Sequence, residues 1–191
     1  MQFEWDPAKD RSNKTKHGLS FRDASELFSI DVDCLEIYDE AHSVEEDRFI
    51  AVGPVWQGVI VVVYTERQEE DVIRILSARM ATSKERDWST YEADMEDETR
   101  ELTDDDFDSA IPRRLRARIA RGEISGGDDI VSLRRFVRMT QEQFAGALGI
   151  SVHTLRNWEQ GRRTPEGPAL ALLRIAARHP RVLRENLAAS A

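Results

Sequence analysis

The chain changes rhythm repeatedly along its length. Behind Ser20, whose hydroxyl suits a helix cap, Phe21, Ala24, Leu27 and Phe28 recur at helical spacing. Together with the stretch that follows Asp6, this predicts helices over 7–17 and 20–29. Four short runs rich in Val, Ile and aromatics then read as strands, at 32–38, 47–54, 58–65 and 71–78. The second and third are joined around 54–58 and the third and fourth around 67–70, so neighbours can pair antiparallel through hairpins. Gly58 to Tyr64 is apolar throughout, as expected of a central strand covered on both faces. TSKERDWSTYE, opened by Thr82, reads as a closing helix over 82–92. The order predicts an α+β domain, with helices packed on a four-stranded antiparallel sheet.

A different pattern occupies residues 140–165. Thr140 with Gln143 has the spacing of a capping box, and Phe144, Ala145 and Leu148 fall on one helical face. Gly149 offers the backbone freedom that ends a helix, and Ser151 stands where the next must be capped. Two short helices hinged by about three residues make a helix-turn-helix, which predicts an all-α second domain over 110–191. Val152, Leu155 and Trp158 turn inward, leaving His153, Thr154, Arg156 and Asn157 outward. Arg and Asn suit guanine and adenine edges, and Gln141 suits a phosphate. The predicted DNA-binding set is Gln141, Ser151, His153, Thr154, Arg156 and Asn157.

Charge divides the 191 residues further. The formal net charge is −9, made of −9 over 1–92, −8 over 93–109 and +8 over 110–191. The DNA-reading part is basic, which resolves the apparent conflict between an acidic protein and a nucleic-acid partner. The run ADMEDETRELTDDDFDS, from Ala93 to Ser109, reads either as a solvated linker or as a segment laid over a cationic site, with Leu102 and Phe107 as anchors. The single cysteine, Cys34, excludes an intramolecular disulfide and a zinc site of several thiolates. No run is long enough to span a bilayer and the first residues lack a signal-peptide pattern, so a cytoplasmic protein without a membrane role is expected.

The first domain keeps cations despite its acidity. Lys16 and His17 end the first helix, Arg48 opens the second strand, and Arg74 and Arg79 flank and end the strand VIRILSARM. In a meander several of these would converge at one end and attract an anion. The bland alternatives are solvated or salt-bridged arginines and a histidine that answers a helix dipole.

The run FEWDPAKDRSNKTKHGLSF from Phe3 to Phe21, followed by DRFIAVG, VVVYTER and RILSARMATSKERDWSTYE in that order, resembles the BrnT-type toxins over residues 1–92. ISVHTLRNWEQGRRTPEGPALALLRIAARHP resembles the Xre-type helix-turn-helix of HigA-like antitoxins, over about residues 130–188. The first resemblance implies a RelE-like fold and a metal-free endoribonuclease without cofactor. Its matching positions here are Lys9, Asn13, Lys16, His17, Arg48, Tyr64, Arg74, Ser77, Arg79 and Arg86. Such chemistry needs a base for the 2′-hydroxyl proton, an acid for the departing 5′-oxygen, and cations over the phosphoryl oxygens. Arg74 and Arg79 suit the cationic role; Lys16, His17 and Tyr64 are open alternatives for the protons, with Arg48 completing the catalytic set.

The second resemblance implies autoregulation of an operon, by a dimer or higher oligomer on operator DNA. Two modules that are normally separate proteins thus share one chain: 1–92 as toxin, 93–109 as acidic linker or antitoxin N-terminal segment, and 110–191 as antitoxin. Met95 opens a stretch that would serve as an independent start. The expected partners are operator DNA, the toxin's RNA, and a toxin-antitoxin contact within or between chains. The alternative is a transcriptional regulator whose N-terminal domain senses a ligand or mediates assembly without catalysis.

Overall fold

The computed structural model describes residues 1–29, 34–67, 71–86 and 100–189. The chain divides into two compact units, Met1–Asp108 and Ser109–Ala191.

The first unit begins with β1 (Gln2–Glu4) and α1 (Pro7–His17), followed by α2 (Phe21–Ser25) and a 3-10 turn at Glu26–Phe28. Asp6 accepts the Ala8 N–H and Pro7 fixes the first helical φ, so α1 starts where the sequence breaks to polar residues. Four strands succeed them: β2 (Leu35–Tyr38), β3 (Arg48–Val55), β4 (Gly58–Arg67) and β5 (Val72–Met80). β2, β3, β4 and β5 form the predicted antiparallel meander. The expectation of a wholly antiparallel, four-stranded sheet is corrected by β1, which runs parallel to β5 with Phe3 opposite Ile73 and Glu4 opposite Arg74. Three residues offer too little alternation to be read as a strand. Phe3 holds them in place by stacking on Phe28, ring centroids 6.0 Å apart. In this unit the order is β1-β5-β4-β3-β2, so β4 is interior and Ile60 to Thr65 are all buried.

The helices cover one face of the sheet. Tyr64 of β4 lies opposite Phe49 and meets Phe28 at 4.9 Å in an edge-on contact, with Tyr38 beyond Phe49. Gly53 is needed here for space: a Cβ would come within 2.8 Å of Leu27 Cδ1 and 2.9 Å of Cys34 Cβ. α1 lies along β5, and the Asn13 side chain accepts the Ala78 N–H at 3.1 Å and donates to the Ala78 carbonyl at 2.7 Å. One amide thereby satisfies backbone groups that β1, ending opposite Arg74, does not reach.

On the opposite face a bulge decides which arginines share a side. Val63 faces Ser77 but Tyr64 faces Ile75, so Leu76 is an extra residue in β5. Arg74 and Arg79, five residues apart, would alternate onto opposite faces of a regular strand. With the extra residue they pair with Thr65 and Val61, which share a face, and therefore so do they.

α3 (Ser83–Arg86) begins the predicted closing helix; residues 87–92, Met95 and the rest of the acidic run up to 99 lie outside the described residues, as do 32–33 of the first predicted strand. Chain that returns at residue 100 belongs to the first unit up to Asp108 and enters α4 (Asp104–Ser109).

The second unit is helical: α5 (Arg113–Ala120), α6 (Gly127–Phe136), α7 (Gln141–Ala147), α8 (Val152–Glu159), α9 (Pro168–Arg178) and α10 (Pro180–Ala189). Ile130, Leu133, Phe136, Phe144, Leu155 and Leu173 make its core. A Cβ at Gly127 would fall 2.1 Å from the Glu159 carbonyl oxygen, so only glycine lets α6 begin against the end of α8.

Candidate functional site

The sheet brings two of the predicted cations together. Arg48 lies opposite Thr65 on β3, and Arg74 lies opposite Thr65 on β5. They form one cross-strand row, with the arginine Cα atoms about 10 Å apart across two strand spacings. Both arginines are half-buried and Thr65 is fully buried. Among the described residues the Thr65 hydroxyl and the Arg48 Nε are buried without a hydrogen-bond partner. Neither arginine side chain is ion-paired there, whereas the nearby Arg67 lies 3.9 Å from Glu4 and 3.6 Å from Glu46. Arg74 also lines an open cleft with Phe3, Glu4, Trp5, Asp6 and Arg67.

Arg79 occupies the other end of that face, four residue steps or about 13 Å along β4 from Thr65. Its guanidinium donates to both oxygens of Glu85 at 2.6 Å each, to the Met80 carbonyl at 3.2 Å and to the Arg100 carbonyl at 2.8 Å. Glu85 is itself placed by a reciprocal cap. It accepts the Thr82 N–H at 2.8 Å while the Thr82 hydroxyl accepts the Glu85 N–H at 3.2 Å. Its remaining capacity goes to the Leu102 N–H at 2.9 Å, and the Leu102 side chain is fully buried. Burial opposes ionisation of Glu85, but the Arg79 hydrogen bonds and the Leu102 and Thr82 amides outweigh it and hold its pKa below the usual value.

Residues 100–106 carry a second clamp of similar form. Thr103 and Asp106 cap each other, and both Asp106 oxygens accept from the Arg100 guanidinium. Burial works against the Asp106 charge, yet the Arg100 and Thr103 bonds prevail and bring its pKa down to about 2. The segment is thus folded by its own residues and fastened to the Arg79 end of the sheet. Of the two anchors expected in the acidic run, Leu102 is buried and Phe107 half-buried.

The remaining predicted catalytic residues lie apart from both ends. Tyr64 is on the helix-covered face, fully buried, its hydroxyl donating to Glu36 Oε1 at 2.5 Å. Lys16 is exposed and His17 half-buried at the C-terminal end of α1, which advances along β5 toward Arg79. The sequence reading did not single out Thr65 or Glu85. Thr82-x-x-Glu85 had the spacing of a capping box and was the available signal for Glu85; a buried threonine in an apolar strand offers none.

In the second unit the Thr140–Gln143 capping box is present in both directions, and Gly149 makes the turn at φ 68°. The Ser151 hydroxyl accepts the Thr154 N–H at 3.0 Å and also meets the Thr154 hydroxyl at 2.9 Å. Leu155 and Trp158 are buried and Val152 half-buried, while His153 and Arg156 are exposed and Thr154 and Asn157 partly so. Gln141, expected to meet a phosphate, is engaged within the fold. Its amide donates to Glu159 at 2.5 Å and accepts from Arg156 Nε at 3.0 Å, and Glu159 accepts from Arg134 at 2.7 Å. This relay, with Arg134 and Glu159 largely buried, aims Arg156 out of the fold.

The arrangement defines a two-unit chain, with an arginine-bearing mixed sheet followed by a helix-turn-helix whose second helix leaves a polar flank exposed. Residues 5–85 match the family profile of the ribonuclease toxin BrnT of type II toxin-antitoxin systems, and residues 134–174 match that of a helix-turn-helix. A 56-residue stretch is 48% identical to antitoxin HigA-2 of Vibrio cholerae serotype O1, covering 29% of this chain and 54% of that protein. The chain therefore spans about half the length of this curated relative. In domain content the chain is thus similar to a BrnT-type toxin domain followed by a helix-turn-helix domain like that of an antitoxin. No described helix is long and apolar enough to cross a membrane, and no group of three or more His, Cys, Asp or Glu among the described residues is placed to hold a metal.

Proposed function

We propose that the chain is a self-restrained toxin-antitoxin protein of the cytoplasm. Its first domain cleaves RNA when released, and its second binds operator DNA, as a dimer or higher oligomer, and represses its own operon. The carrying observation is the seating of residues 100–108 on the first unit, where the Arg100 carbonyl and the Leu102 amide close over Arg79 and Glu85. A main-chain carbonyl there accepts the hydrogen bond that a phosphoryl oxygen would otherwise take. RNA laid along the face from Arg48 and Arg74 toward Arg79 meets this segment first.

In the released domain the 2′-oxygen attacks phosphorus as its proton leaves, and the bond to the 5′-oxygen breaks as that oxygen is protonated. Arg48 and Arg74 carry the growing phosphoryl charge. Exposed Lys16 and half-buried His17 are the groups left to exchange protons, since Tyr64 is engaged with Glu36. Tethering adds to the restraint, because a linker that spans the sites supplies a local concentration on the order of millimolar.

Expression of residues 1–92 tests the enzymatic half. Growth arrest with RNA fragmentation, abolished by Arg48→Ala with Arg74→Ala, supports it; folded protein that accumulates harmlessly counts against it. The engagement of Tyr64 and Arg79 with internal partners favours a second reading, a regulator with a non-catalytic first domain. That reading survives if operator binding by the full chain is intact while the released domain leaves RNA whole.

A further inference from the structure

We propose that the Arg48–Thr65–Arg74 row and the cleft beside it form a seat for one nucleotide of the RNA, the row taking its phosphate and Trp5 its base. The inference rests on the ribonuclease reading and specifies which part of the arginine face receives substrate.

Three features set this place apart. Arg48 and Arg74 are cations without an ion-pair partner among the described residues, in a unit whose Arg67 and Arg79 are paired. Thr65 lies between them with its hydroxyl buried and unsatisfied, a condition that folded proteins rarely tolerate and that an anion oxygen in this row would relieve. Directly opposed side chains on neighbouring strands start about 5 Å apart, so both arginines reach across Thr65 to a common ligand. Arginine in such a fork suits a phosphate, with two donors in one plane.

The cleft supplies what a phosphate site alone lacks. Arg74 forms part of its wall, and Trp5, half-buried and edge-on to Phe21 at 6.5 Å, forms another. An aromatic ring next to a phosphate seat is the pairing by which proteins hold unstacked nucleotides. Glu4 and Asp6 also line the cleft, offering acceptors to the amino groups of a base and disfavouring a second phosphate. Arg79 and the segment over it lie about 13 Å along β4 from Thr65, at the far end of the face.

The test uses the full-length chain at low ionic strength, titrated by calorimetry with inorganic phosphate and with the 5′-monophosphates of adenosine, guanosine, cytidine and uridine. At least one monophosphate is expected to bind more tightly than phosphate. Arg48→Ala with Arg74→Ala weakens binding of both ligand types tenfold or more. Thr65→Val weakens it about fivefold and Thr65→Ser restores it, as a lost and regained hydrogen bond to a charged group requires. Trp5→Leu lowers nucleotide affinity toward that of phosphate and leaves phosphate affinity unchanged. A 2′-O-methylated dinucleotide, which lacks the nucleophile, displaces the monophosphate.

No binding by any monophosphate, or binding indifferent to the arginine pair, overturns the seat. Indifference to Trp5→Leu overturns the base position, and failure of the dinucleotide to compete assigns the seat to a free nucleotide instead of RNA. Because binding is read without turnover, the two readings fail separately. A chain that binds as described but never cleaves RNA loses the ribonuclease; one that cleaves at full rate without Arg48 and Arg74 loses the seat.

Discussion

Arg74 and Arg79 belong to one strand and one face, yet they are in opposite electrostatic conditions. Arg79 is 8% exposed and spends its donors on Glu85 and two carbonyls. Arg74 is half-buried beside an open cleft and, among the described residues, has no ion partner. The first is a fastening, whose loss leaves a charge stranded in the fold. The second is a half-buried cation at a cleft wall, and its loss is expected to cost little stability. Two arginines that look equivalent in the sequence are separated by what has been placed over them.

The sharpest way to break this comparison is Glu85→Ala. It leaves the Arg79 guanidinium buried without its carboxylate and lowers the stability of the first unit by about 3–5 kcal/mol in chemical denaturation. A loss below about 1 kcal/mol would remove the distinction between the two ends.

Acid addresses the same fastening without mutation. The Asp106 pKa is about 2 in the folded chain against an ordinary 3.8, and that of Glu85 is also depressed. A depressed carboxylate stabilises the fold above its ordinary pKa and loses that contribution as pH falls toward the folded value. Seating of residues 100–108 should therefore be constant from pH 8 to 5 and loosen as pH falls from 3.8 toward about 2, followed by amide exchange at Leu102. Loosening that begins near pH 6 would point to histidine instead.

Arg156 on α8 is an intermediate case, oriented by Gln141 yet 53% exposed in its side chain. Arg156→Ala is expected to weaken operator binding by about 1–3 kcal/mol if it reads a base. If it meets only a phosphate, binding weakens evenly across sequences and the salt slope falls by about one. Gel-shift titrations at several salt concentrations separate these, and unchanged affinity would take Arg156 out of the interface.

The smallest expected effect completes the contrast. Arg48→Ala and Arg74→Ala should each change unfolding stability by no more than about 0.5 kcal/mol, as for side chains without a structural partner. A large loss from either would show that the row is held together by bonds of its own.

Periodicity made the helix-turn-helix legible because its determinants are local. Thr140, Gln143, Gly149 and Ser151 act within a few residues of themselves, and Leu155 and Trp158 follow from helical spacing. The antiparallel strands were legible for the same reason. β1 was hidden because its partner is some seventy positions away and Phe3 is its single apolar contact inward. The arginine face was only half legible. Arg74 and Arg79 could be nominated by type, but their common orientation depends on the extra residue Leu76, and a one-residue irregularity has no signature in RILSAR. The fate of Arg79 was equally out of reach, since Glu85 and Arg100 come to it from a capped turn and from across the acidic run. Nomination by type also could not show that the Tyr64 hydroxyl meets Glu36 inside the aromatic core.

The Asn13 amide, bonded to both backbone groups of Ala78, also bears on how this chain behaves in a crowd. Beyond the reach of β1, the rim of β5 would otherwise present an N–H and a C=O to any extended peptide that drifted past. A side chain that imitates one residue of a neighbouring strand fills those valences and has no further strand to propagate. It is a stopper against fibrous self-association, made from a helix and renewed each time the domain folds.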